Sequence, residues 1–304
     1  MTTSLETLHA LAALQLPGVG QVTARKILAQ AGGNSVQQTI AMMLPNLGSK
    51  AWDQAIVDSE RIIEEGEALG IEAIAITSTR YPARLRQIPD PPVVLYVRGD
   101  ASVLSRDAIA VVGTRKVSSA GARLTKLVAG YIGKRGFVVV SGVALGVDAL
   151  AHEAALEVGA ITVAVLAHGL DTVSPASNRK LAERILGNGG ALVSEHHHGV
   201  PARPAEFVRR NRLQSGLSLG SVIVESGAEG GSMHQARFTK AQDRHLMTVL
   251  AASDNSRSDL NEAGAHELVS SLGAIAMRSL GDLAKELDGI KVRSETGSIK
   301  NELF

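Results

Sequence analysis

The residues best suited to bind an anion form a short turn, Gly113, Thr114, Arg115 and Lys116. The turn follows an apolar β run, AIAVV, and precedes a predicted helix over 119–134. At such a junction of an α/β sheet, free backbone N–H groups and a helix N-terminus favour phosphate, and arginine adds a bidentate donor. We therefore predict a phosphate cradle here. The alternative is an ordinary strand-to-helix turn with solvated basic side chains.

Two further turns place small polar residues where later strands end. Ser141 and Gly142 follow the run FVVV, and Gly231 and Ser232 lie in a glycine-rich turn after the run SVIVE. Because parallel strands end at one edge of a sheet, we expect both turns beside Arg115. The second turn is a further phosphate-sized cradle.

The segment PAEFVRRNRLQSGLS, residues 204–218, combines one aromatic ring with several arginines. We predict a loop before the fifth strand of the domain. Base stacking on an aromatic ring contributes roughly 1–3 kcal/mol and tolerates any base, while arginines follow phosphates. A solvated basic helix explains the segment equally well. The candidate residues are Phe207, Arg209, Arg210, Asn211 and Arg212.

Histidines form two weaker candidates for chemistry. Asp148 and His152 lie four residues apart on one helix face, but no third ligand is spaced with them, which favours a structural pair over a metal or acid–base pair. Three consecutive histidines, 196–198, cannot all face one ion from a regular strand. They favour a chance cluster over a metal site.

The segment LPGVGQVTARKIL, residues 16–28, resembles a helix-hairpin-helix motif. Gly18 and Gly20 permit a tight turn, whose N–H groups and following helix N-terminus can meet a DNA phosphate without reading sequence. Arg25 and Lys26 would add charge. A purely structural connection between two helices is the favoured alternative.

The elements that position these residues divide the chain into two main parts. Apolar residues recur at helical spacing over 4–70, and four prolines between Thr77 and Asp100 favour an extended connector that ends in a short strand, VVLYV. Beyond it, runs rich in Val and Ile alternate with helical stretches, which is typical of a parallel sheet covered by helices. We expect a helical, helix-hairpin-helix or SAM-like domain over 1–75, a connector over 76–104, a doubly wound, Rossmann-like α/β domain over 105–290, and a flexible tail over 291–304.

Composition narrows the class of protein. The absence of cysteine excludes disulfides, thiolate metal sites and cysteine nucleophiles. The N-terminus lacks the basic region of a signal peptide, and no apolar run approaches the roughly 20 residues that span a bilayer, so we expect a cytoplasmic protein with no membrane contact. The net charge of +1 gives no argument for a polyanionic partner, although arginines cluster locally.

Taken in order, these segments resemble the DprA/Smf family of DNA-processing proteins, which load RecA recombinase onto single-stranded DNA. The resemblance runs through YPARLRQIPDPPVVLYVRG, VGTRKVSSAG, SGVALGVDALAH, HGLDTVSPASN and FVRRNRLQSGLS. It implies a recombination mediator that binds single-stranded DNA, forms a homodimer and works with a RecA-type recombinase, with no catalytic residue, metal or cofactor. It also implies a DNA pocket lined by Arg115, Phe207, Arg210, Asn211 and Arg212 and shaped by Gly113, Ser141, Gly142 and Ser232.

Some features depart from the family pattern, and other functions stay open. Ala120 and Ser174 stand where the family usually has tyrosines, and the C-terminal winged-helix module of many relatives is not expected here. A nucleotide-binding enzyme or sensor of the phosphoribohydrolase type is the main alternative, with Glu225 as its acid. A dinucleotide oxidoreductase is disfavoured, because the turn at Gly113 lacks the G-x-G-x-x-G pattern.

Overall fold

Helices alone form the start of the chain, and helices alternate with strands in the rest. The computed structural model describes residues 4–31, 35–251 and 259–301. In this part the strands are β1 Ile71–Ala75, β2 Val94–Gly99, β3 Ala108–Val112, β4 Val138–Ser141, β5 Thr162–Val165, β6 Ala191–Ser194, β7 Gly220–Ile223, β8 His245–Val249 and β9 Ile275–Met277. The helices are α1 Leu5–Gln15, α2 Gln21–Ala31, α3 Val36–Met43, α4 Ser49–Ala68, α5 Ala83–Arg86, α6 Ser119–Lys134, α7 Val147–Glu157, α8 Arg179–Gly187, α9 Pro204–Leu217, α10 Gly231–Ala241, α11 Ala263–Leu272 and α12 Leu280–Asn301.

The strands just named form one sheet in the order β1-β2-β6-β5-β4-β3-β7-β8-β9. The seven strands from β3 to β9 pair in parallel, whereas β2 runs antiparallel to both β6 and β1. The strand order reverses at β3, which lies between β4 and β7. This point, at the carboxyl ends of the strands, is where open α/β sheets bind ligands.

Alternation of side chains along β3 explains why helices cover both faces. Ile109 and Val111 pack on one face with residues of α6 and α7. Ala108 and Ala110 point to the other face, where α9 contributes Leu213. Because successive side chains of a strand point to opposite faces, this apolar run must be covered twice. The Rossmann-like, doubly wound fold expected from the sequence is confirmed.

The N-terminal helices pack directly on the antiparallel end of the sheet. Leu11, Ile27 and Trp52 share one buried apolar cluster with Ile71 of β1 and Val94 of β2. The helical region expected at the start of the chain is therefore present, and it contacts the sheet through a continuous core.

The α1–α2 hairpin has the tight turn that its glycines predict. Gly18 adopts a φ of +74°, a conformation that suits glycine. Arg25, expected to add charge toward DNA, donates from Nη1 to the carbonyl of Pro91 at 2.7 Å. Gln21 Oε1 accepts from the N–H of Val93 at 2.8 Å. These two hydrogen bonds attach the second helix of the hairpin to the connector. DNA contact by the hairpin stays a prediction.

Three segments differ from the sequence expectations. β1 lies inside the range predicted to be helical, because the short strand directly follows the apolar periodicity of α4. The predicted loop over 204–218 is helix α9 from Pro204 to Leu217, with proline at its first turn, where a missing N–H is harmless. The predicted loose tail is helical as far as Asn301, and 302–304 lie outside the described residues. No helix in the described ranges is long and apolar enough to cross a membrane.

Candidate functional site

A cleft of about 370 Å³ opens at the carboxyl ends of β3, β4 and β7, at the reversal of strand order. Its walls come from the turn before α6, the start of α7, one side of α9 and the start of α10. The structure therefore brings together turns and a helix that are distant in sequence. The sequence-predicted residues that line it are Gly113, Thr114, Arg115, Phe207, Arg210, Asn211, Gly231 and Ser232.

Close backbone packing fixes the turn that carries Arg115. A Cβ at Gly113 would lie 2.6 Å from the Val147 side chain and 2.8 Å from the carbonyl of Glu225. The N–H of Thr114 donates to that carbonyl at 2.8 Å, and its own carbonyl accepts from Val147 at 3.1 Å. Gly146, at φ +77°, would place a Cβ 2.4 Å from the carbonyl of Thr114. Close packing against neighbouring atoms therefore requires glycine at both positions.

Arg115 and Phe207 meet at the mouth of the cleft. The Arg115 guanidinium carbon lies 5.4 Å from the centroid of the Phe207 ring, which is within cation–π distance. Arg115 is exposed and Phe207 half-buried. An exposed cation held against an aromatic ring offers a phosphate donor and a stacking surface side by side.

The N-terminus of α6, expected to cradle phosphate, is already occupied by carboxylates of the chain. Glu225 Oε2 accepts from the N–H of Ser118 at 3.0 Å and from its hydroxyl at 3.2 Å. Asp259 accepts from the N–H groups of Ser119 and Ala120 at 3.0 and 2.8 Å. These N–H groups hold the pKa of Asp259 below its ordinary value. The expectation of free N–H donors at this turn was wrong, because two acids remote in sequence fill them.

The N-terminus of α10 is arranged differently. Its N-cap is Gly230, which supplies no capping side chain. Ser232 is buried, and its hydroxyl donates to Ser226 Oγ at 2.6 Å instead of capping the helix. Within the described ranges, the N–H groups of Gly231 and Ser232 have no protein acceptor. This helix end lines the cleft and is the better anion site of the two.

Arg210 forms the inner wall of the cleft. Its side chain is 5% exposed, and Nη1 donates to the carbonyl of Gly142 at 3.0 Å and also to the carbonyl of Val165. Its Nε has no partner in the described part of the chain. Burial lowers the pKa of Arg210 to about 10, and nearby Asp148 opposes that shift. The guanidinium stays charged at neutral pH and retains an unused donor.

Ser141 and Gly142 do not line the cleft, but they support the residues that form its edge. Ser141 is fully buried and donates from Oγ to the carbonyl of Val111 at 2.7 Å. A Cβ at Gly142 would lie 2.1 Å from Nη1 of Arg210, so only glycine admits this guanidinium. The next residue, Val143, has a φ of +61°, which is strained for a β-branched residue. Strain of this kind clusters at ligand sites.

Arg212, implied by the family resemblance to line the pocket, lies outside the cleft. Its buried guanidinium binds Glu195 at 2.8 and 2.7 Å and Asp90 at 2.6 Å. These ion pairs join α9 to Glu195, which directly follows β6, and to Asp90 in the connector. Arg209 is exposed, 3.8 Å from Glu195, and Lys116 is exposed beside the mouth. Neither lines the cleft.

Although Asp148 and His152 lie four residues apart on α7, their side chains have different surroundings. Asp148 lines the cleft, and burial raises its pKa, although Arg210 and Arg115 oppose the shift. His152 is fully buried, with Nδ1 2.6 Å from Thr162 Oγ1. Burial lowers the pKa of His152 to about 3, which keeps the ring neutral. Their helical spacing favours a structural pair, and it gives no sign that Asp148 lines the cleft.

The histidine triplet does not form a convincing metal site. His196 lies with Glu195 and Glu206 so that ligand atoms are within 4.8 Å of one another. However, both oxygens of Glu195 accept from Arg212, and Arg209 lies 4.0 Å from Glu206. A cation there would face two arginines. This arrangement disfavours a metal ion, and the absence of a metal site stays a prediction.

Glu225 has little freedom to act as the acid of a nucleotide-cleaving enzyme. Its carboxylate accepts from Ser118 and from the N–H of Asn261 at 3.0 Å, and it does not line the cleft. The carboxylate is a helix cap. This geometry weakens the alternative of a phosphoribohydrolase-like function.

Comparison with known proteins places the chain in one family. The model of the family described as DNA recombination-mediator protein A matches residues 72–288. The chain is 37% identical over 214 residues to protein Smf of Escherichia coli, covering 70% of this chain and 56% of the relative. It is 33% identical over 228 residues to the DNA processing protein DprA of Bacillus subtilis, covering 75% of each.

Solved structures agree with this match. DprA of Streptococcus pneumoniae superposes with a TM-score of 0.77 at 25% identity, covering 94% of this chain and 99% of that one. DprA of Helicobacter pylori, described for its single-stranded DNA binding mode, superposes with a TM-score of 0.63 at 28% identity, covering 71% and 95%. The matched region runs from β1 to α12 and includes every wall of the cleft, so the chain belongs to the DNA recombination-mediator protein A family.

Proposed function

We propose that this protein binds single-stranded DNA across the cleft as a recombination mediator without catalytic chemistry. The observation that carries the proposal is the convergence of Arg115, Phe207 and the open N-terminus of α10 on one rim. Cation, aromatic ring and free N–H groups are what a single strand requires, because its phosphates need donors and its unpaired bases need a stacking surface. In a duplex the faces of the bases are stacked on one another, so a duplex can use the phosphate donors but not the aromatic ring.

The test compares a fluorescein-labelled 20-nucleotide single strand with its duplex by fluorescence anisotropy. We expect tighter binding of the single strand and a log–log salt slope of about −0.7 for each phosphate neutralised. Equal binding of strand and duplex, or no binding at low salt, would contradict the proposal. Release of free base from nucleoside monophosphates would instead support the enzymatic alternative.

The mediator role adds two partners to the proposal. The resemblance to DprA and Smf proteins supports a homodimer and a RecA-type recombinase as partner, acting in the cytoplasm. Sedimentation velocity tests the dimer, and the rate of RecA filament formation on strands pre-coated with single-strand-binding protein tests the loading activity. A monomer, or a filament rate unchanged by this protein, would remove the corresponding partner from the proposal.

A further inference from the structure

Helix α10, which begins in the cleft, carries cations and no acid. Its sequence GSMHQARFTKA, Gly231–Ala241, contains Arg237 and Lys240 but no aspartate or glutamate. Both of these side chains are exposed, and neither forms an ion pair or a hydrogen bond within the described ranges. The two cations are therefore accessible to a ligand.

One side of α10 is buried against the sheet, and the other side faces solvent. Met233 and Ala236 pack with Val112 of β3. Residues three and four positions apart share a face of a helix. The exposed or half-buried residues at such steps, which we call the α10 face, are Gly231, His234, Arg237, Phe238 and Ala241. This face starts at the cleft, because Gly231 is one of the residues that line it.

Phe238 gives the α10 face an aromatic surface. Among the phenylalanines of the described residues, Phe207 and Phe238 are half-buried, whereas Phe137 is buried. Because α10 packs beside α9, the two half-buried rings lie on adjacent helices. A helix rises about 1.5 Å per residue, so Phe238 lies about 10 Å along α10 from Gly231. The cation and ring of the cleft mouth are thus followed by a second cation and ring.

Positive charge continues beyond the end of α10. A cavity of about 390 Å³ lies there, at the amino ends of β7, β8 and β9. Of the residues that line it, Lys240 and Arg244 are cations and Asp243 is an acid. Burial and the neighbouring Arg84 lower the pKa of Arg244, and Asp243 opposes this shift. The cavity keeps an excess of positive charge, which an anion would stabilise.

We propose that a single strand bound in the cleft continues along the α10 face, where Arg237 and Lys240 bind its phosphates and Phe238 stacks on one of its bases. Cations in line with an aromatic ring are what a single strand requires, whereas cations alone would serve a duplex equally. The inference rests on the proposed binding of single-stranded DNA and adds the path of the strand. The path leads from the carboxyl edge of the sheet to its amino edge.

The test of the cations is the salt dependence of binding to a labelled 20-nucleotide strand. The double variant Arg237→Ala, Lys240→Ala should shallow the log–log slope by about 1.4, the share of two phosphates. Lys134→Ala, Lys285→Ala is the matched control, because it removes two exposed cations of α6 and α12, which pack on the opposite face of the sheet. An unchanged slope in the first variant, or an equal change in the control, overturns the path.

The test of the ring separates stacking from charge. Phe238→Ala should weaken binding of the same strand about tenfold and leave the salt slope unchanged, whereas Phe238→Tyr should bind within about twofold of wild type. A purely structural role of Phe238 would lower the melting temperature and change affinity and slope together. Binding of Phe238→Ala as tight as that of wild type overturns the path.

Strand length provides a test in the wild-type protein, which holds even if a variant fails to fold. The salt slope should steepen as strands are lengthened from about six to about fourteen nucleotides, because the added phosphates meet further cations. A slope that is constant over these lengths overturns the path and leaves the proposed function intact. Failure of the wild-type protein to bind the 20-nucleotide strand overturns the proposed function itself.

Discussion

Arg115 lies over the ring of Phe207, with the guanidinium carbon 5.4 Å from the ring centroid. The contact joins the turn before α6 to the first half of α9, two segments that are remote in sequence. It orients the exposed arginine toward the cleft. The stacking surface and the phosphate donor are thereby parts of one unit, and removing either should affect the other.

Arg115→Ala should weaken the binding of single-stranded DNA and shallow the log–log salt slope by about 0.7, the share of one phosphate. Fluorescence anisotropy over a salt series measures both. Lys134→Ala is the matched control, because Lys134 is an exposed cation at the opposite end of α6. An equal change of slope in both variants would mean that the strand follows the general charge of the protein instead of this turn.

Phe207→Ala should cost roughly 1–3 kcal/mol of DNA binding free energy, the usual worth of a base stacked on an aromatic ring. Phe207→Tyr keeps the ring and should bind within about twofold of wild type. Anisotropy at one salt concentration distinguishes them. Because Phe207 is half-buried, a melting curve for each variant must accompany the measurement. Parallel losses in the Ala and Tyr variants would show that packing, and not stacking, controls affinity.

How far the sequence predicted this site depends on the range of the interactions. Strands β2, β3, β4 and β7 and helix α6 were predicted within a few residues, because hydrophobic periodicity is local. The roles of the individual side chains of α9 were not predicted. Arg210 and Arg212 differ by two positions, yet Arg210 reaches the rim carbonyls and Arg212 reaches Asp90 and Glu195. Asp90 is remote in sequence, so no local pattern could assign Arg212 to it.

Arg212→Ala should destabilise the fold by about 3–5 kcal/mol, since it leaves the carboxylate of Glu195 buried without its cation. Urea unfolding followed by circular dichroism measures the change. Arg209→Ala, an exposed neighbour, should change the free energy of unfolding by less than about 0.5 kcal/mol. A folded, fully stable Arg212→Ala protein with impaired DNA binding would restore Arg212 to the DNA pocket.

Stability should fall in acid through Glu195. Burial alone would raise the pKa of Glu195, but hydrogen bonds from Arg212 hold it below its ordinary value. The carboxylate therefore adds stability above the pKa of an unfolded glutamate, and this contribution is lost as pH falls through the lowered pKa of the folded state. The Glu195→Gln variant lacks this stabilising contribution at every pH.

The difference in unfolding free energy between wild type and Glu195→Gln should accordingly be large at neutral pH and shrink below about pH 4. Urea titrations at a series of pH values measure this difference. A constant difference across the series would mean that the pair with Arg212 does not titrate in this range. Asp107→Asn, an ion-pair partner of Arg84 elsewhere, serves as a control for acid unfolding in general.

Asp259→Ala tests whether the N-terminus of α6 can receive a phosphate once its own carboxylate is gone. Asp259 accepts from the N–H groups of Ser119 and Ala120, close to the turn that carries Arg115. Removing the carboxylate frees two donors at a helix N-terminus and removes a negative charge near the mouth, so DNA should bind about twofold to fivefold tighter at low salt. Anisotropy measures the gain.

Glu157→Ala is the matched control for Asp259→Ala, because it removes one exposed negative charge at the end of α7 remote from the cleft. If it raises affinity equally, the gain reflects net charge alone. If Asp259→Ala weakens binding, Asp259 orders the turn that presents Arg115. The carboxylates of Asp259 and Glu225 then stabilise the site. A gain confined to Asp259→Ala would mean that the chain masks with its own acid the phosphate cradle that its sequence predicts.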